Sequence, residues 1–494
     1  PMTTAWTDQQ LLAEYKNISV LESISSLLSW DYEAMMPAGS EGLRQVQSAT
    51  LEKLSFERFT SPHYAEAVLE STSNDPQILR LKKMMAEALA FDSDFVSNKV
   101  EVTMKCQSAW KGARESGNFS EVESQLSEVV KMAREGVSRL RASKHLKDTF
   151  SGKSDYEILL DQYDPGLPAE KLRSMLGTLS DKLKEKIPLI LEKQKAKQSE
   201  RERVLPLLKM SISKQKEIVE QVVGDLGFNF KKGRLDTSTH PFCGGSPDDV
   251  RMTTRFRGND FTDSLSGGIH ETGHALYNFG LPESLRFTPC GGTDSFGIHE
   301  SQSRLYENNL GRSIPFLRYL SKRLDLPAED LNLLMNWVQP SYIRVDADEV
   351  TYNLHIAMRM GIEQDLIEGK IEVRDLPELW RSKFKELFGL EIESDSQGCL
   401  QDIHWYFGAF GYFPSYSVGN ILAAQLFENF SNEHSSWGSE AECGDFANLL
   451  THLRDKVHSL ASIDDTPTRI HKMLGGQEFK IDSFVNYIDL KYLG

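Results

Sequence analysis

Apolar residues recur along most of this chain at helical spacing. Val122, Leu126, Val129, Val130, Ala133, Val137 and Leu140 fall at i, i+4, i+7, i+8, i+11, i+15 and i+18, one stripe of a single long helix. Leu172, Leu176, Leu179 and Leu183 repeat the pattern after an Asp164-Pro165-Gly166 break, and Ile18, Leu21, Ile24 and Leu28 make an earlier stripe. Residues 182–204 are dense in Lys, Glu and Arg and read as a solvated helix face. Apolar stripes return after Ala423, so the pattern predicts a mainly α fold.

The period changes between Leu226 and Phe256. Val250, Met252, Thr254 and Phe256 alternate with Asp249, Arg251, Thr253 and Arg255, which predicts a strand with one polar face. Gly233 to Thr239 is expected to pair with it as a small antiparallel sheet, with Cys243 to Pro247 turning between the two. The edge of such a sheet suits an extended peptide that adds one strand. Helical spacing then resumes at Phe261, Leu265, Ile269 and Leu276, with Asp260 or Thr262 to cap the start and Gly280 before Leu281-Pro282 to end it. Gly267, Gly268 and Gly273 each weaken that helix by about 1 kcal/mol relative to alanine. Such residues imply close approach of another backbone or a ligand.

That helix carries the chemistry. His270 and His274 lie four residues apart in HETGH, so both imidazoles leave one face and can close on one metal ion. Glu271 projects beside that ion, where a carboxylate can take a proton from water. Glu300, on a second predicted helix in GIHESQS, is the best third ligand and leaves a fourth position open for water. Arg304 and Glu307 follow at i+4 and i+7 and are placed to orient Glu300. Two imidazoles and a carboxylate favour zinc, though the same set accepts cobalt or manganese.

Charge and composition narrow the alternatives. Lys+Arg 56 against Asp+Glu 72 gives a net charge of -16, and no basic run interleaved with aromatics occurs, which argues against a nucleic-acid partner. No run of about eighteen apolar residues is present, so no membrane span is expected. The five cysteines, Cys106, Cys243, Cys290, Cys399 and Cys443, are scattered without CxxC spacing and suit free thiols in a reducing compartment. The first ten residues lack the basic and apolar regions of a leader, and Pro1 ahead of Met2 is set aside as a cloning remnant. A soluble cytoplasmic protein is the expectation. Length allows two or three domains or one large core, and no repeat or low-complexity linker marks a boundary.

Six motifs stand in one order: HPF at His240 to Phe242, DxRxT at Asp249 to Thr253, HExxH at His270 to His274, HESQ at His299 to Gln302, IRxxADE at Ile343 to Glu349, and GxxQDxHW at Gly398 to Trp405. Together with Trp30-Asp31 and Met36-Pro37 they make the chain similar to the carboxypeptidase Taq family, the M32 metallocarboxypeptidases. Ala34 and Asp294 depart from the family pattern, and Asp294 could perturb the approach to the metal. The resemblance implies a single peptidase domain over 1–494, a helical zincin-type fold with a long substrate groove, and a homodimer. It also implies removal of single residues from the free C-terminus of peptides with broad preference. Carried over by position, His270, His274 and Glu300 would bind the metal and Glu271 would be the general base. Arg344 would pair with the substrate carboxylate and Tyr416 would steady the oxyanion, with His240 and Arg251 as further substrate contacts. Two rivals remain at this stage. One is an endopeptidase or dipeptidyl carboxypeptidase of the same type; the other is a helical binding protein whose metal is structural and closed by four protein ligands.

Overall fold

The computed structural model describes residues 5–494, so Pro1 and Met2 lie outside the described residues. Helices dominate, as the apolar stripes predict, and the chain divides into two compact units. The first comprises residues up to Met85, Ala196–Trp337 and Gly419–Phe479; the second comprises Ala86–Lys195, Val338–Val418 and Lys480–Gly494. Two of these divisions fall inside continuous helices, Pro76–Leu89 and Pro414–Glu433. No linker composition could announce them, which is why the sequence shows no boundary.

In the second unit, helix Glu123–Ala142 buries Leu126, Val129, Val130, Ala133, Val137 and Leu140, the stripe read from the sequence. Glu123 in its first turn and Arg139 and Arg141 in its last complement the helix dipole. Helix Ala169–Lys195 likewise buries Leu172, Leu176, Leu179 and Leu183.

The first unit departs from expectation at helix Asp8–Ala34. Its N-terminal half packs Leu11, Tyr15 and Ile18 into a cluster with Tyr64, Val68, Ile78, Leu81 and Met85. Further along, Ile24 is 43% exposed, so the stripe is core at one end only. Periodicity reports an apolar face but not whether anything covers it.

The predicted sheet is present with a different topology. Strands β1 (Gly233–Thr237), β2 (Cys243–Ser246) and β3 (Asp249–Thr254) lie in the order β1-β3-β2. β2 pairs antiparallel with β3 through a hairpin over Pro247-Asp248, whereas β1 pairs with β3 in parallel, Gly233 against Val250. The expected wholly antiparallel sheet is therefore mixed, and the expected turn at Cys243 to Pro247 is largely a strand. Gly244 and Gly245 carry no side chains whose alternation could mark that strand. Gly245 has φ +99°, and a Cβ on it would stand 2.2 Å from the Asp249 carbonyl oxygen. On β3, Val250, Met252 and Thr254 are buried as the alternation predicts, but Thr253 of the expected polar face is buried too, its hydroxyl 2.6 Å from Ser238 Oγ.

β3 is the floor of the HExxH helix, Phe261–Gly280. Thr254 Oγ1 donates to the Ser264 carbonyl at 3.0 Å, and a Cβ on Gly267 would come within 3.3 Å of that hydroxyl. Asp260 caps the helix by accepting from the Thr262 N–H, and Phe261, Leu265, Ile269 and Leu276 form its buried face. A Cβ on Gly268 would meet Val219 of helix Ile212–Leu226 at 2.7 Å. At Gly273 it would stand 2.4 Å from the Gln302 carbonyl oxygen and 2.6 Å from Ser303 Cα, so another backbone does pass against the helix there. That backbone is helix Phe296–Arg304, which carries Glu300.

Candidate metal and catalytic site

The close pass at Gly273 sets the site. It brings the ligand atoms of His270, His274 and Glu300 within 4.8 Å of one another. Glu300 Oε2 stands 3.7 Å from His270 Nε2 and 3.4 Å from His274 Nε2. A second pass fixes the glutamate from behind. A Cβ on Gly419 would lie 2.7 Å from Glu300 Cβ, so helix Pro414–Glu433 leaves that side chain no room to swing away.

The surrounding hydrogen bonds expose the correct nitrogen of each imidazole. His270 Nδ1 donates to Glu307 Oε2 at 3.2 Å, which leaves Nε2 with its lone pair turned toward Glu300. His299 Nε2 lies 3.3 Å from Asn278 Oδ1, a carbonyl that can only accept, so the His299 proton sits there. Its Nδ1 then accepts from His274 Nδ1, and His274 Nε2 is the free donor atom. Two nitrogens and one carboxylate oxygen thus converge with lone pairs inward, and the donor set fits a divalent cation.

Charge favours a cation as well. Burial disfavours an imidazolium at His270, yet Glu300 and Glu307 outweigh it and hold its pKa up to about 9. A metal ion competes with that proton for the same electron pair. Burial also opposes ionisation of Glu300, but the His270 and His274 imidazoles and Arg304 keep it well below the usual carboxylate range. Glu307 is held down to about 2 against burial by Arg304 and His270. Arg304 Nε donates to Glu300 Oε1 at 3.0 Å and its Nη1 to Glu307 at 3.2 Å, so one guanidinium steadies both carboxylates. Glu307 sits in a widened π turn, Leu305–Leu310, that follows the Glu300 helix directly. Its partner is a histidine ligand rather than Glu300, the role expected from spacing.

Glu271 is buried, and that burial raises its pKa, which makes it a stronger base than an exposed glutamate. Asp294 is held in an ion network. Arg80 and Arg469 each pair with it at 2.5 Å, and Arg469 also donates to the Tyr277 hydroxyl.

Arg251 is engaged with Asp249 at 3.0 Å and rests over the Trp30 ring at 4.3 Å. His240 is exposed between β1 and β2, with its backbone carbonyl accepting from Ser238 Oγ. Arg344 and Tyr416 belong to the second unit. There Asp402 clamps two buried guanidiniums, Arg344 Nη2 at 2.9 Å and Arg359 Nε at 2.8 Å. Burial opposes its charge, but the two arginines hold its carboxyl far below the ordinary range. Arg344 Nη1 donates to the Tyr352 hydroxyl at 2.9 Å, and the guanidinium lies 4.9 Å from the Tyr416 ring centre. The Tyr416 hydroxyl is 3.1 Å from His404 Nε2. The GxxQDxHW motif is accounted for by these contacts. Gln401 accepts from the Arg344 backbone N–H and from Arg359, Asp402 clamps the arginines, and His404 meets the tyrosine.

Sequence reasoning left His299, Asn278, Tyr352 and Arg359 without roles. Asn278 had a signal, since it lies four residues beyond His274 on the same helix face. Arg359 had none.

Comparison with known proteins identifies the family. The family described as carboxypeptidase Taq (M32) metallopeptidase matches residues 10–492. Thermostable carboxypeptidase 1 of Pyrococcus furiosus is 34% identical over 99% of this chain and 98% of its own length. The enzyme of the same name from Thermus thermophilus is 31% identical over 99% of each chain. Among solved structures, metallocarboxypeptidase 1 of Trypanosoma cruzi superposes with a TM-score of 0.90 at 30% identity, covering 98% of this chain and 99% of that one. A helical fold with a small sheet, a convergent ligand set and a match over nearly the whole length establish that the chain belongs to the carboxypeptidase Taq (M32) family of metallopeptidases, and is thus a peptide-hydrolysing carboxypeptidase that works with a metal ion.

Proposed function

We propose that this enzyme removes single residues from the free C-terminus of peptides, with broad side-chain preference, and that His270, His274 and Glu300 hold one zinc ion. The convergence of those three side chains, with one lone pair of each imidazole turned inward, carries the reading. Cobalt or manganese suits the same ligands. When bound, the ion supplies positive charge that polarises the scissile carbonyl and lowers the pKa of the attacking water.

The protein's own groups do the rest. Glu271 accepts the water proton on a carboxylate oxygen and delivers it to the departing amine, a task helped by its raised pKa. Tyr416 is assigned as the phenol that donates to the developing oxyanion, with His404 fixing its hydroxyl. Arg344 is assigned to the terminal carboxylate. A guanidinium has five N–H donors. Asp402 takes those on one edge and Tyr352 one more, which leaves an N–H on each of Nη1 and Nη2 for two parallel bonds. His240 and Arg251 complete the set as contacts farther along the peptide.

The family match from 10 to 492 runs through both compact units and supports one peptidase domain. A homodimer follows from family likeness, and exposed apolar residues such as Ile24, Leu43 and Val46 offer area for such a face. Five free cysteines suit the cytoplasm, and among the described residues no helix is long and apolar enough to cross a membrane.

The test compares release of the last residue from a free peptide and from its C-terminal amide. The amide should react about a hundredfold more slowly or worse, since two charge-assisted hydrogen bonds are worth about 3 kcal/mol or more. Equal rates would remove Arg344 from its role and point to an endopeptidase.

A further inference from the structure

Among the described residues a second group has the composition of a metal site: Glu433, His434 and His452, whose ligand atoms lie within 4.8 Å of one another. All three belong to the first unit. We propose that they bind a divalent cation of the zinc class, independently of the His270, His274 and Glu300 site.

The elements that bring them together are two helix segments. Glu433 is the last residue of helix Pro414–Glu433, and His434 follows it with its backbone N–H still bonded to the Phe430 carbonyl at 2.9 Å. His452 comes from the middle of helix Ala447–Lys456. Phe430 holds both rings, stacked on His434 at 4.9 Å and edge-on to His452 at 5.4 Å. The imidazoles are therefore oriented before any ion arrives.

Two observations distinguish this group from an ordinary surface pair. His452 Nδ1 and Glu433 Oε2 are 3.5 Å apart, long for a charge-assisted hydrogen bond, which closes to roughly 2.7–2.9 Å. It is close to the ~3.3 Å that separates two ligands placed tetrahedrally at ~2.0–2.1 Å from zinc. In addition, His434 Nδ1 is buried without a hydrogen-bond partner, and an unsatisfied buried nitrogen of this kind calls for a water or an ion. The His452 side chain is 4% exposed and Glu433 is 54% exposed, so the group opens toward solvent on the glutamate side, where water can complete the coordination. Asp455 adds further negative charge nearby and Lys456 offsets part of it.

The consequence is mechanical. Helix Pro414–Glu433 presses Gly419 against Glu300 near one end and carries this group at the other, fourteen residues or about 21 Å away. An ion there ties the helix end to Ala447–Lys456 and stiffens the element that confines Glu300. The role is structural, so turnover at saturating zinc is not expected to depend on it.

The experiment uses the full chain with the first site disabled by His270→Ala and His274→Ala. That protein is stripped with chelator and titrated with zinc against a chromophoric competitor, with thermal unfolding followed in parallel. One equivalent should bind, with a rise of a few degrees in the unfolding midpoint. Adding Glu433→Gln and His434→Ala should weaken that equivalent at least tenfold and abolish the rise. The same pair in an otherwise unaltered enzyme should leave kcat unchanged and remove one of two zinc equivalents. No zinc uptake below about 10 μM by the first variant, or uptake undiminished by the added pair, overturns the proposal and leaves the active-site reading untouched.

Discussion

Glu271→Gln is expected to keep its full complement of metal and to lose about three orders of magnitude in kcat, the range that one general base commands. Glutamine matches glutamate in size, so the buried side chain can be replaced without opening a cavity. Its amide accepts no proton. Because the loss falls on the transition state and not on peptide binding, kcat should drop while KM stays near the parent value. Metal content must be measured beside turnover, since Glu271 adjoins His270 and a loss of both would report a damaged site instead. A metal-loaded variant with near-parent kcat would show that another group takes the water proton.

Gly273→Ala should damage the fold and the metal site together. A Cβ there meets Gln302 and Ser303 backbone atoms at 2.4–2.8 Å, and backbone cannot rotate aside as a side chain can. The two helices must part, at a cost of about 3 kcal/mol or more, the upper range for overpacking. Parting them also moves Glu300 and Ser303, whose hydroxyl donates to Glu300 Oε2 at 3.1 Å. Zinc affinity should fall along with stability. Gly267→Ala is the control on the same helix, because its Cβ would meet a single side-chain hydroxyl at 3.3 Å, while alanine gains up to about 1 kcal/mol of helix propensity. Chelator competition and denaturant unfolding check both variants. Equal stability and zinc affinity in the two would mean that the close pass does not position the ligands.

This contrast also marks what the sequence makes legible. His270 and His274 are readable because four residues on a helix is a local geometric fact. Gly273 was readable as a cost without a local reason, and the structure supplies the reason in Gln302 and Ser303. Glu300 was reachable through its motif. The clamp of Asp402 on Arg344 was not, because 58 residues separate them and no periodicity spans that interval. The parallel pairing of β1 was hidden by the bare Gly244 and Gly245, and the exposed end of the first helix by the fact that an apolar stripe does not name its neighbour. The division at Val418 falls within one helix, where composition has nothing to change.

The central claim is a single cation held by two helices with room left for water. Anomalous diffraction at the zinc edge from crystals of the zinc-loaded protein tests it most directly. A peak should lie within about 2.0–2.2 Å of His270 Nε2, His274 Nε2 and a Glu300 oxygen, with solvent in the remaining position. A peak displaced from Glu300, or a fourth protein ligand closing the site, would contradict the account.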